Sequence, residues 1–405
     1  MDDFVSPPPC PPPLLPPESL HHLCTHGYLG LNLPHHLESQ YDQLLATADA
    51  FFALPAETKQ LYCPGTGLGP KHRGPPSSAA STERGYTHVD GEKEYLTLRK
   101  SLTHLPPGIY DAAAPLWHDT ARLLHRILRD IGVYLGLEPT VWDSVVADSL
   151  EPSDGVYEDE HAEENKQDKE DKRATSGRQR THPRDDPPTL LRLFRYEPGG
   201  GGAEQHRDLG FLTLCVCWGK GLQVRPRRPP QPPADSGDPL QATSPPLPPI
   251  PWLDAPRVTV MTGDALHVLS SYRIPSAQHR VVVDASEDAH KSAHTEDQDR
   301  QSRNALPSES RRSIVFALRP TTVGDIDLAA FGGFGSIGAR DLFNNIRKSR
   351  VNINADKETR AAMRAEYDKV RAKDQERDAE LQPCPELEES GNSDNAITGE
   401  LVGVA

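Results

Sequence analysis

The chain has 405 residues and a formal net charge of -15, with 40 prolines and only 36 % hydrophobic residues. That acidity argues against a nucleic acid or an anionic membrane surface as partner, since both call for a basic patch. No stretch approaches the roughly 18 consecutive apolar residues of a membrane span, and so much proline and charge leaves material for one packed domain of roughly 250 residues with polar additions.

In chain order, the start "MDDFVSPPPCPPPLLPPESL" is acidic and broken by proline, so it has neither the basic region nor the apolar stretch of a signal peptide. A cytoplasmic location is expected. The six cysteines (10, 24, 63, 215, 217, 384) are scattered, without paired CxxC units. Cys215 and Cys217 share one face of an expected strand, where plain core packing is the simplest role. Residues 36–53 place Leu37, Tyr41, Leu44, Ala48 and Phe51 at steps of three and four, which predicts an amphipathic helix. A second helix is predicted over about 112–135, striped by Leu116, Ala121, Leu124, Leu128, Ile131 and Leu135 and stopped at Gly136.

From residue 189 the period changes. "TLLRLFRY", "LGFLTLCVCW", "LQVR", "RVTVMTG", "ALHVLSS", "HRVVV" and "SIVFALRP" read as short strands punctuated by glycine, proline and aspartate. Without helical crossovers between them they predict an antiparallel sandwich or jelly roll. A charged helix is predicted near 356–380, followed by an acidic tail. The segments at 1–18, 158–188, 225–251 and 284–310 read as solvated additions, because mixed charge and proline do not repay the entropy of ordering.

One short pattern carries chemistry. A histidine two residues before an aspartate occurs twice, and about one such pair is expected by chance. His88-Val89-Asp90 runs into Gly91 and reads as a surface turn, whereas His206-Arg207-Asp208 opens onto an apolar run and so sits at the rim of a buried strand. Side chains at 206 and 208 project to one face of an extended chain, so an imidazole and a carboxylate can reach one ion. His279, before three valines, has the same rim-then-core character and is the candidate third ligand. Two histidines and a carboxylate on one side of an ion are the facial triad of non-haem Fe(II) oxygenases; zinc accepts the same donors. Arg311 and Ser313 share a strand face, and with Tyr196 they could hold the far carboxylate of a dicarboxylic acid. A register slip of one would substitute Arg312, but only the face of Arg311 also presents a hydroxyl. His267 is placed on a strand near the core, and Gly263-Asp264 at the turn that starts it.

The order "LRLFRY", "HRD", "LQVR", "VMTGDALHVLSSYRIPSAQHRV" and "RRSIVF", preceded by "HGYLGLNLP", "FFALPAETKQLY" and "RGYTHVDGEKEYLTLR", resembles the isopenicillin-N-synthase-like family of Fe(II)/2-oxoglutarate-dependent dioxygenases. The resemblance runs from about residue 20 to 325. It implies a mainly β fold with flanking helices, in which a double-stranded β-helix (jelly roll) core follows a helical N-terminal region. The expected organisation is a proline-rich start (1–18), an N-terminal and mostly helical region (19–157), a charged linker (158–188), a catalytic core (189–325) with its two insertions, and a helical and acidic C-terminal part (326–405). The resemblance also implies Fe(II) on His206, Asp208 and His279, with 2-oxoglutarate as cosubstrate held by Arg311 and Ser313 near Tyr196. Three features depart from the family: the two insertions, and Phe194 where an asparagine often precedes the tyrosine.

The expected reaction is oxidation of a small organic substrate by dioxygen, hydroxylating or desaturating it, with release of succinate and carbon dioxide, by a monomer. Two other readings remain at this point. One is an iron-dependent oxidase of the same fold that uses no 2-oxoglutarate. The other is a non-catalytic binding module.

Overall fold

The computed structural model describes residues 12–68, 83–100, 102, 104–150, 189–227, 250–283, 310–348 and 350–380. The 158–188 linker lies outside the described residues, as do most of the proline-rich start and of both insertions. Two compact units emerge, Met1–Arg360 and Ala361–Ala405.

In the first unit, α1 (Pro17–His26), β1 (Tyr28–Gly30), α2 (His35–Phe52), α3 (Ala56–Gln60), β2 (Gly85–Val89), β3 (Lys93–Arg99), α4 (Ile109–Tyr134) and α5 (Asp143–Val146) come first. Then follow β4 (Leu190–Tyr196), β5 (Ala203–His206), β6 (Leu212–Trp218), β7 (Leu222–Arg225), β8 (Leu253–Asp254), β9 (Val258–Thr262), α6 (Asp264–Leu269), β10 (Gln278–Val281) and β11 (Arg312–Leu318). A small hairpin, β12 (Asp325–Asp327) with β13 (Ser336–Gly338), leads into α7 (Ala339–Lys348) and α8 (Lys357–Glu380). Most of α8 forms the described part of the second unit; residues 361–369 are almost all exposed, with Glu366 and Lys369 paired one turn apart.

The strands build two antiparallel sheets. The larger has the order β1-β9-β6-β11-β4-β3-β2 and the smaller β5-β10-β7-β8. The chain is thus mainly β with several helices. Because side chains alternate along a strand, the large sheet has two chemically different faces. One carries Leu96, Leu98, Leu191, Leu193, Leu214, Val216, Ile314 and Phe316 in the main apolar cluster, together with the buried stripes of α2 and α4. Trp117 of α4 meets Phe316 edge-on with ring centres 5.0 Å apart. The other face turns towards the small sheet. Cys215, Cys217 and Met261 pack there on Leu222 and Val224, and Tyr95, Phe194 and Tyr196 pack on Val281.

The helix expected over 36–53 forms as α2 with its five stripe residues buried, and the one over 112–135 begins three residues earlier, after Gly108 in the left-handed conformation. Asp90-Gly91 forms the surface turn, with Gly91 at φ +67°. One reading needs correction. "ALHVLSS" is no strand: residues 264–269 form α6, which buries Ala265, Leu266 and Leu269, a helical spacing too short to stand out in sequence. Gly263 and Asp264 accordingly start a helix, and His267 lies on it. The N-terminal region carries the five helices α1–α5 and contributes three strands as well. "GYTHVDGEKEYLTLR" folds as the β2-β3 hairpin and, with β1, extends the large sheet at both edges. Its alternating apolar residues bury best against β4, and a helix would scatter them.

Candidate metal centre

The site is built on the small sheet, at the end of the β5-β10 pair. β5 and β10 pair antiparallel with His206 and His279 directly opposite, which sets their ring centres 4.1 Å apart. Gly202 permits this approach, for a Cβ there would lie 1.8 Å from the Val281 carbonyl oxygen. Asp208 comes two residues after β5, and its carbonyl accepts the Asp264 backbone N–H at 2.8 Å, so α6 pins it. Gly263 is needed at that corner, because a Cβ would meet the Gly210 oxygen at 2.2 Å.

The ligand atoms of His206, Asp208 and His279 all lie within 4.8 Å of one another. His206 Nε2 stands 3.9 Å from Asp208 Oδ1, and His279 Nε2 stands 3.8 Å from Asp208 Oδ2. These separations are too long for hydrogen bonds and suit three donors around one ion at about 2 Å each. The opposite ring nitrogens are taken: His206 Nδ1 donates to the Glu204 carbonyl at 2.7 Å and His279 Nδ1 to the Ala277 carbonyl at 3.2 Å. That assignment of the protons leaves both Nε2 lone pairs facing the carboxylate.

Electrostatics agree. Burial, with His279 alongside, holds His206 well below the ordinary imidazole range, so it is neutral and able to ligate. Burial alone would raise the Asp208 carboxyl, but His279 and then His206 outweigh it and keep it below its usual value. Asp208 Oδ2 is buried without a hydrogen-bond partner. Such an orphaned anion beside two lone pairs costs free energy unless a cation joins them. The donor set therefore fits a divalent metal.

Next to it on the inner face of the large sheet lie the other predicted residues. Arg311 is buried just before β11; its Nε donates to the Lys220 carbonyl at 3.0 Å, and its guanidinium sits 4.7 Å from the centre of the Tyr196 ring. Ser313 Oγ is 3.5 Å from Arg311 Nη1, and Cys217 Sγ is 3.2 Å from Nη2. Arg312 points the opposite way and pairs with Asp49 of α2 at 2.6 Å. Burial pushes the Tyr196 phenol up to about 12 against the pull of Arg311, so it stays protonated at neutral pH. Cys215 and Cys217 are free, buried and 3.5 Å apart at sulfur.

Two neighbours had no place in the sequence reading. Lys93 is wholly buried on β3, and Asn354 comes from the segment that leads into α8. Only the alternation "KEY" on a strand hinted at the first, while the second depends on a contact between residues some 260 positions apart.

No family model matches the sequence, and no curated protein matches it either. Solved structures do. A 2OG-Fe(II) oxygenase family protein from Caulobacter crescentus is 19 % identical, with 82 % of this chain and 93 % of that chain covered and a TM-score of 0.51. A full-length Neurospora crassa protein, solved in complex with alpha-KG and 5-formyluracil, is 19 % identical over 81 % of this chain and 88 % of that chain, with a TM-score of 0.49. At this identity the Caulobacter crescentus likeness establishes a shared fold, and the chemistry of this chain rests on its own residues.

Proposed function

We propose that the chain is an Fe(II)- and 2-oxoglutarate-dependent dioxygenase of a small organic substrate. The observation that carries this reading is the convergence of two Nε2 lone pairs and one unpartnered carboxylate oxygen within 4.8 Å, from strands paired at His206 and His279. The two antiparallel sheets are read as the walls of a double-stranded β-helix, with 189–325 as its catalytic core and β1–β3 as an extension. The isopenicillin-N-synthase-like subclass belongs to the same proposal.

His206, Asp208 and His279 would hold the metal, which when bound supplies the redox chemistry that couples dioxygen to decarboxylation of the keto acid. The residues of this chain then do the positioning. His206, Asp208 and His279 would hold the ion from one side and so would leave space beside it for the keto acid. Arg311, a buried planar cation, would pair with the distal carboxylate of 2-oxoglutarate while Ser313 and the protonated Tyr196 offer hydroxyl donors. Tyr95, Phe194 and Tyr196 exclude water from the same face. The overall change is one 2-oxoglutarate, one dioxygen and one substrate C–H giving succinate, carbon dioxide and an alcohol; desaturation would draw on the same oxidant.

The test is release of labelled carbon dioxide from 2-oxoglutarate labelled at its 1-carboxylate, by the purified chain with Fe(II) and ascorbate. Release that depends on Fe(II) and vanishes in His206→Ala is expected. Equal release from both proteins would overturn the assignment.

A further inference from the structure

Lys93 has no part in holding the metal or 2-oxoglutarate. It stands opposite Tyr196 in the β3-β4 register, and the Tyr196 backbone N–H in turn bonds the Arg311 carbonyl at 2.8 Å. Lys93, Tyr196 and Arg311 thus line one face across three neighbouring strands.

An ammonium has three donors and strongly disfavours burial without a counter-charge. Among the described residues Lys93 Nζ makes one hydrogen bond, a long 3.3 Å contact with the Ile353 carbonyl, and lies 5.9 Å from the centre of the Phe194 ring. The adjacent Glu92 is committed elsewhere, accepting Arg360 Nη2 at 2.6 Å and Nη1 at 3.0 Å. Burial brings Lys93 down to about 7; Glu92 resists this, and Arg360 and Arg192 add to it. A dry, cationic corner of this kind attracts an anion.

The far wall of that corner is the segment after Arg350. Tyr95, two residues along β3 and on the same face as Lys93, donates to the Asn354 carbonyl at 2.8 Å. Asn354 Oδ1 is itself buried without a hydrogen-bond partner. Lys93 therefore keeps donor capacity unused and Asn354 an acceptor unused, in two segments joined by the Lys93–Ile353 and Tyr95–Asn354 hydrogen bonds.

We infer that Lys93 selects the primary substrate, its ammonium pairing with the carboxylate of an organic acid held between β3 and the Ile353–Asn354 segment. The inference rests on the dioxygenase reading, and the Ile353 carbonyl stands where the acid would bind. Sequence reading missed it because a lysine flanked by glutamates on a strand reads as a solvated edge.

The experiment uses the full chain loaded with Mn(II) and 2-oxoglutarate, titrated by calorimetry with benzoate, phenylacetate, cinnamate and octanoate, each beside its methyl ester. Acids are expected to bind and esters not. Lys93→Gln and Lys93→Met, checked for fold by circular dichroism, are expected to lose at least about thirtyfold in acid affinity, the usual cost of breaking a buried charged pair. If acids bind no better than esters, or both variants bind acids as the unmodified chain does, the inference falls. Variants that melt earlier but keep the acid preference would make Lys93 a tether for the Ile353 segment and also overturn it. Separate titrations with Mn(II) and 2-oxoglutarate distinguish the two failures: no uptake of either by the unmodified chain sinks the dioxygenase reading itself.

Discussion

The two faces of the large sheet come from the same strands and differ in almost every respect. The helix-side face is leucine, valine, isoleucine and phenylalanine, packed on α2 and α4. The face towards the small sheet carries Lys93, Tyr95, Tyr196, Arg311, Ser313 and two cysteines, all buried. Alternation along a strand thus separates stability from chemistry by a single residue. Arg311 and Arg312 state the contrast at its sharpest, one aimed at the expected 2-oxoglutarate site and the next tied to Asp49.

Substitutions can break this division. The largest effect is expected at the metal ligands, where Asp208→Ala or His279→Ala should lower metal affinity by well over about a hundredfold, since even indirect partners of such ligands are worth 10- to 100-fold. Removing Asp208 also removes a buried orphan charge, so melting of the metal-free protein should hold or rise. A protein that kept its metal affinity after either change would end the division at once.

On the opposite face, Phe316→Ala empties the contact with Trp117 and should cost about 3–5 kcal/mol. For a unit of this size that is roughly 6–15 °C in melting temperature, with metal affinity of the folded fraction unaltered. A loss of metal affinity with little thermal change would mean that the faces are coupled.

Arg311→Leu should weaken 2-oxoglutarate binding by about 2–5 kcal/mol, read as a rise in its KM, while the metal still binds. The adjacent Arg312→Ala removes a partly exposed pair with Asp49 and should cost about 1 kcal/mol or less of stability, with KM unaffected. Interchanged outcomes at 311 and 312 would move the register by one residue.

Much of this division was legible in sequence because it is periodic. The helix stripes of α2 and α4, the runs of β4, β6 and β11, and the rim-then-core setting of His206, Asp208 and His279 follow from local patterns that a long element repeats. The choice of Arg311 over Arg312 needed only the hydroxyl two residues on. What stayed hidden was short or distant. The six residues of α6 make too few turns to show a helical period, and the β2-β3 hairpin becomes part of the sheet only through its pairing with β4. The Ile353–Asn354 wall meets β3 across more than 250 residues, which no local pattern encodes.

The central claim is that two histidines of paired strands and the aspartate just after one of them share one ion and leave room beside it for a keto acid. Anaerobic calorimetric titration of Fe(II) in the presence of 2-oxoglutarate tests it most directly. The expected result is one tight site per chain in the unmodified protein and none in folded His279→Ala. Equal binding by both, or none by either, would contradict it.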